Sequence, residues 1–164
     1  MSAACTEKPL IHTGAFLQLI ELTKYRPAKT IRLSCSLERA ETLALLGASG
    51  CGKSTVLKMI AGLLSADSGQ IFLDGRNITE VPPAARSVGM VFQDYALFPH
   101  LSVEDNIGYG LISLGSSKKE SRKAAAVWLD RFGLTGMAKR RIDGLSGGEK
   151  QRVALARTLA VNPL

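Results

Sequence analysis

The sequence predicts a mixed α/β domain with a helical segment inserted after Gln93. Three observations carry that expectation. Residues 16–23 and 31–37 alternate apolar and polar side chains, the period of half-buried strands. Residues 42–46 and 88–92 are near-continuous apolar runs, the pattern of strands buried on both faces of a parallel sheet. Between them Val56, Met59, Ile60 and Leu63 recur at helical spacing.

Taken in order, residues 1–15 form an N-terminal extension without the basic-then-apolar pattern of an export signal. The strands 16–23 and 31–37 should pair through a turn at 24–30 containing Pro27. Strand 42–46 leads through a glycine-rich loop into a helix over 53–63 that Gly62 stops. A short strand, 70–73, runs into an Asp74-Gly75 turn, Pro82-Pro83 marks a break, and 88–92 is another buried strand. Beyond Gln93, helices are expected at 103–114 and 121–132, separated by a Gly/Ser/Lys loop. A last helix, 147–161, ends at Asn162-Pro163 because proline cannot continue it. The expected organisation within 16–164 is a β subdomain and loop-bearing core over 16–93, a helical subdomain over 94–150, and a return to the core over 151–164.

Composition narrows the class. A chain of 164 residues, 46% hydrophobic and 21% charged, has the balance of one globular domain. No apolar run approaches the ~18–20 residues a spanning helix needs. Cys5, Cys35 and Cys51 are odd in number and widely spaced, which disfavours a disulfide framework or a zinc site and favours a reducing compartment. The net charge of +7 raises nucleic-acid binding. Its clusters, Lys118-Lys119, Arg122-Lys123 and Lys139-Arg140-Arg141, carry no interleaved aromatics. They read as solvated helix faces rather than a nucleic-acid groove, and work beside an anionic membrane fits equally.

Gly47-Ala48-Ser49-Gly50-Cys51-Gly52-Lys53-Ser54 matches GxxxxGK[ST] between a strand pattern and a helix pattern, the context that motif requires. Glycines let the backbone curl so that several N–H groups reach phosphate oxygens, and the helix adds its positive end. Lys53 would neutralise phosphate charge and Ser54, with Thr55 beside it, would meet Mg²⁺. Further on, Ser146-Gly147-Gly148-Glu149 satisfies the capping-box pattern. Capping needs no glycine, and each glycine costs a helix about 1 kcal/mol. Two of them at a helix start make sense where something approaches the backbone closely, and the exposed donors favour an anion.

Together, the phosphate loop, VGMVFQDYALFPHLSVEDNI over 88–107 and LSGGEKQRVALARTLA over 145–160 resemble the ATPase subunit of an ABC transporter. The resemblance runs from Phe16 onward. It implies a P-loop NTPase of the ABC ATPase type: an antiparallel β subdomain, a RecA-like parallel sheet core and an inserted α-helical subdomain. It implies ATP and Mg²⁺ as ligands and a head-to-tail pair of ATPase subunits, in which Ser146, Gly147 and Gly148 bind the nucleotide held by the partner's loop. Gln93 matches the glutamine that reaches Mg²⁺ and the attacking water; as a plain residue it would cap a strand end. Tyr25 lies where the family places an adenine-stacking aromatic, or is simply a turn tyrosine. Arg39-Ala40-Glu41 departs from the family's usual Gly-Glu, with Ala40 where that glycine falls.

Residues 95–101, with Tyr95, Leu97, Phe98, Pro99 and His100, are expected either to pack internally or to receive a helix of a membrane permease subunit, with Phe98 as anchor. The resemblance is to bacterial importers, with a slight lean to thiamine in the 33–47 segment, and it implies a peripheral place on the cytoplasmic face of the inner membrane. The Asp-Glu pair and switch histidine of the family do not follow the signature within these residues, so the chain reads as C-terminally truncated, binding ATP weakly and not hydrolysing it alone. A soluble, non-transport ABC ATPase and a non-catalytic nucleotide-binding fragment are the competing readings.

Overall fold

The computed structural model describes residues 14–27 and 29–164. Most of the expected N-terminal extension, with Cys5 and His12, lies outside the described residues. The chain divides between Ser87 and Val88 into two compact units.

The first unit is built on a four-stranded antiparallel sheet in the order β2-β1-β3-β4. Strand β1 (Leu17–Arg26) pairs with β2 (Lys29–Leu37) down to Arg26 opposite Lys29, so the hairpin is tighter than the turn expected over 24–30. On its other edge β1 pairs with β3 (Ser68–Leu73), which turns into the two-residue β4 (Arg76–Asn77). The expected Asp74-Gly75 turn is there, with φ of 49° and 76°. Positive φ at both positions is what a two-residue hairpin loop of type I′ demands. Helix α1 (Lys53–Ile60) stops at Gly62, whose φ of 76° lets its N–H reach Met59 O while Leu63 N–H reaches Lys58 O. That pair of bonds closes the helix end with a left-handed glycine.

Two expected strands are absent. Neither 42–46 nor 88–92 is a strand, and the described sheet contains no parallel pair. An apolar run becomes a strand only when a neighbour satisfies its backbone N–H and C=O groups, and no described segment does so here. Instead of being sandwiched in a core, Leu46 is 90% exposed. Leu43 and Leu45 line an apolar cavity of about 250 Å³ with Leu17, Leu19, Leu33 and Leu57. Ala40 has φ 66° in the turn where Glu41 N–H reaches Glu38 O. The departure from the family's glycine is thus tolerated in a left-handed conformation that glycine adopts without strain.

The second unit is helical: α2 (Val103–Ser113), α3 (Lys118–Arg131) and α4 (Gly147–Ala160). They enclose Val103, Ile107, Ala125, Leu129, Leu134, Ile142, Leu145, Val153 and Ala156. Gly108 lets α2 approach α3, and the fully buried Ser121 donates its hydroxyl to Gly108 O at 2.8 Å. Each helix is capped by a serine, Ser102, Ser117 or Ser146. Helix α3 starts three residues before the expected 121, because Ser117 and Glu120 form a full capping box. That S-x-x-E signature was present in the sequence.

Candidate functional site

The phosphate loop is shaped by three left-handed glycines: Gly47 (φ 150°), Gly50 (75°) and Gly52 (113°). A Cβ at Gly47 would lie 2.8 Å from Cys51 Sγ, and one at Gly52 would lie 2.8 Å from the Ile31 side chain. Around Gly50 nothing lies within 4 Å of a Cβ position, so the outer side of the loop is open. Helix α1 begins on Gly52 with no side-chain cap and no acidic residue in its first turn. The first N–H groups of a helix have no intrahelical acceptor, and here Lys53, Ser54 and Thr55 present theirs beside an open loop.

Lys53 folds back over that loop, its ammonium 2.6 Å from Gly47 O, 2.9 Å from Ala48 O and 3.6 Å from Cys51 Sγ. Desolvation raises the Cys51 thiol, but hydrogen bonding and charge from Lys53, with the charge of Lys29, outweigh it, and the net displacement is downward. Cys35, on β2, is pushed up by burial. The two thiols therefore differ in thiolate character. Ser54 is exposed and Thr55 half-buried in the same first turn. The loop fits a polyphosphate: open space, aligned donors and a cation. Among the described residues no group of three His, Cys, Asp or Glu could hold a metal ion. Magnesium held through one hydroxyl, phosphate oxygens and water needs none.

Tyr25 is 59% exposed and pairs with Thr30, while its N–H donates to Asp67 Oδ2 at 2.6 Å. Asp67 also takes the Lys24 ammonium at 2.7 Å; that bond, then the Tyr25 N–H, holds its carboxyl below its ordinary range. Ile31, which lies against Gly52, pairs with Lys24, so strand alternation puts Tyr25 on the opposite sheet face.

In the second unit, Ser146 caps α4: its Oγ accepts from Glu149 N–H at 3.3 Å, and Glu149 Oε2 accepts from Ser146 N–H at 2.6 Å. The Ser146 bonds, then the charges of Arg140 and Arg152, hold Glu149 below its ordinary value. Gly147 and Gly148 are exposed. Neither has positive φ, no atom lies within 4 Å of a Cβ at Gly147, and only Arg152 Nη1, at 3.9 Å, approaches one at Gly148. Nothing among the described residues requires a glycine at either place.

Gln93 is exposed at the start of a turn over 93–96. Tyr95 N–H closes that turn onto Phe92 O at 3.0 Å. Tyr95 and Ala96 are consecutive non-glycine residues with positive φ, 63° and 44°. Such backbone costs about 1–3 kcal/mol per residue and persists where its surroundings fix it. The half-buried Arg157 of α4 supplies part of that fixing, donating to Ala96 O at 2.7 Å and Tyr95 O at 3.0 Å and lying 5.3 Å over the Phe98 ring. Burial pulls its guanidinium pKa downward. Asn106, fully buried in α2, holds Phe98 by both backbone groups: it accepts from the N–H at 2.9 Å and donates to the carbonyl at 3.0 Å. The Phe98 ring rests 4.4 Å from that of Tyr109 and Leu97 packs against the helical core, while Pro99 and His100 are exposed. Apolar exposure over 95–101 is therefore less than the sequence implied.

Arg157 and Asn106 were missed as site residues. Both sit on the core-facing stripe of their helices, Arg157 four residues after Val153 and Asn106 three after Val103, and a polar residue on an apolar stripe is the signal that would have found them.

Residues 31–164 match the family described as ABC transporter. Among characterised proteins, the chain is 48% identical over 150 residues to the Fe(3+) ions import ATP-binding protein FbpC of Pasteurella multocida, covering 90% of this chain and 43% of that one. It is 54% identical over 129 residues to the spermidine/putrescine import ATP-binding protein PotA of Methylococcus capsulatus, covering 77% and 33% respectively. It resembles the dimeric post-hydrolysis structure of the ATP-binding cassette MJ0796 bound to ADP and Pi, with a TM-score of 0.79 and 31% identity over 90% of this chain and 70% of that one. The chain thus spans less than half the length of the curated relatives it matches.

Proposed function

The chain belongs to the ABC transporter family, and from that premise we propose that it is the nucleotide-binding portion of a bacterial importer ATPase, which couples ATP binding and hydrolysis to solute uptake. The observation that carries this reading is the phosphate loop: an uncapped α1, open space at Gly50 and a lysine folded across the loop. Backbone N–H groups of 50–55 and the Lys53 ammonium bind the ATP phosphates, and the Ser54 hydroxyl serves Mg²⁺, a role that the resemblance alone extends to Gln93. Bound Mg²⁺ supplies charge neutralisation of the phosphates. The resemblance alone gives adenine stacking to Tyr25; strand alternation sets its side chain on the sheet face away from Gly52, so no adenine contact is assigned to it.

Ser146, Gly147 and Gly148 complete the site of a second ATPase subunit in a head-to-tail pair; their open surroundings support that reading. Tyr95, Phe98, Pro99 and His100 belong to a surface that docks the membrane permease, with Leu97 buttressing it from the core. This places the protein peripherally on the cytoplasmic face of the inner membrane. Iron and polyamines are the solutes named for the relatives, beside the thiamine that the 33–47 segment favours. Solute choice rests with the permease and its binding partner.

The test uses the two thiols that the loop and the sheet set apart. N-ethylmaleimide labelling, followed residue by residue by mass spectrometry, should modify Cys51 faster than Cys35. MgATP at about ten times its Kd should slow Cys51 labelling about tenfold and leave Cys35 unchanged. Lys53→Ala should abolish the protection. Equal Cys51 rates with and without MgATP would overturn the reading.

A further inference from the structure

We propose that Arg157 is a positioning residue that locks the strained 93–98 turn to the helix opened by Ser146, so that Gln93, Phe98 and the signature end of α4 respond as one body. The inference rests on the roles proposed above for Gln93 and Phe98. Three observations in the helical unit converge on it. Two successive non-glycine residues hold left-handed backbone, and the carbonyls of both accept from the same guanidinium. The same guanidinium lies over the ring of Phe98. Asn106 fixes the Phe98 backbone from α2, so the turn is gripped at its middle and its far end while Gln93 remains exposed at its start.

Arginine is the side chain this task requires. A planar fork of N–H donors reaches two adjacent carbonyls and stacks on an aromatic face at once. Lysine offers a single nitrogen. A push on Phe98 by a docked partner would therefore displace α4 along with the turn, and a change at the glycine-opened end of α4 would travel back to Gln93. Arg157 would touch neither nucleotide nor partner. Its effect passes through the backbone it holds.

The experiment compares the unsubstituted chain with Arg157→Gln and Arg157→Lys. Amide hydrogen exchange over 94–98 should accelerate about tenfold in Arg157→Gln and less in Arg157→Lys. The thermal midpoint followed by Trp128, the single tryptophan, should shift little, because the apolar core that Trp128 packs against keeps all its side chains in these variants. MgADP affinity should be unchanged, while the preference for MgATP over MgADP should fall about fivefold or more, the low end of ordinary coupling between sites. Unchanged exchange over 94–98 in Arg157→Gln overturns the inference. So does accelerated exchange across all three helices with ATP and ADP affinity lost in parallel, the result of a merely structural role. If Arg157→Gln does not fold, Arg157→Lys decides by the same criteria. An unsubstituted chain that binds neither nucleotide refutes the proposed function, while the exchange measurement still decides whether Arg157 holds the turn.

Discussion

Helices α3 and α4 open with the same device and differ in what lies inside it. Both carry a complete capping box, Ser117 with Glu120 in one and Ser146 with Glu149 in the other. Between serine and glutamate α3 has Lys118-Lys119, whereas α4 has Gly147-Gly148. The glycines weaken the helix by about 1 kcal/mol each, and neither backbone conformation nor a neighbouring atom calls for them. A cap built on the same reciprocal pair of backbone hydrogen bonds therefore serves stability alone in α3 and leaves a bare backbone surface in α4. At α1 the contrast goes further: that helix has no side-chain cap at all, and its first N–H groups open beside the phosphate loop.

Exchanging the inner residues gives the largest expected effect. Gly147→Ala with Gly148→Ala should raise the unfolding free energy by about 1–2 kcal/mol, read by urea denaturation with Trp128 fluorescence. Lys118→Gly with Lys119→Gly should lower it by a similar amount. ATP-dependent pairing, followed by sedimentation velocity, should be lost only in the alanine pair at 147–148. Alanines that left both stability and pairing unchanged would show that the two boxes are equivalent and the glycines incidental.

The caps themselves come next. Ser117→Ala and Ser146→Ala should each cost about 1 kcal/mol, since each removes an acceptor for a first-turn N–H. Equal stability losses with a pairing defect confined to Ser146→Ala would sharpen the comparison. A pairing defect in both would dissolve it.

The helical unit was nearly legible in the sequence, and the sheet unit was legible only where its strands find partners. Helix α4 could be placed almost to the residue because its start and stop signals are local: a serine cap and a proline. The same is true of the Asp74-Gly75 turn and the Gly62 stop, whose backbone angles are set by the residues themselves. The runs at 42–46 and 88–92 misled because a strand is a property of a pair, and an apolar pattern names no partner. At the site, the phosphate loop was readable as a contiguous motif. Arg157 meets Tyr95 and Ala96 across 62 and 61 residues of sequence. Such a contact follows from tertiary packing, and only its place on an apolar stripe hinted at it.

The smallest expected effect separates the two boxes by their surroundings. Glu120 is held below its ordinary value by the Ser117 hydroxyl and then the Ser117 N–H. Glu149 is held down by the equivalent Ser146 groups and also by the charges of Arg140 and Arg152. A carboxylate whose folded pKa is depressed stabilises fully above its unfolded value, near ~4.3 for glutamate. That stabilisation is lost as the pH falls through the lower folded value, where protonation weakens the acceptor for the serine N–H. Both boxes should thus weaken on acidification, but only Glu149 has an added long-range electrostatic share. Raising the salt shortens the Debye length from about 10 Å at 0.1 M to about 3 Å at 1 M, so the Glu149 titration should move upward while that of Glu120 stays nearly fixed. Carboxyl-carbon NMR titrations at the two salt concentrations check this. An equal response would mean that the arginines do not act on Glu149, and that the two caps differ in their glycines alone.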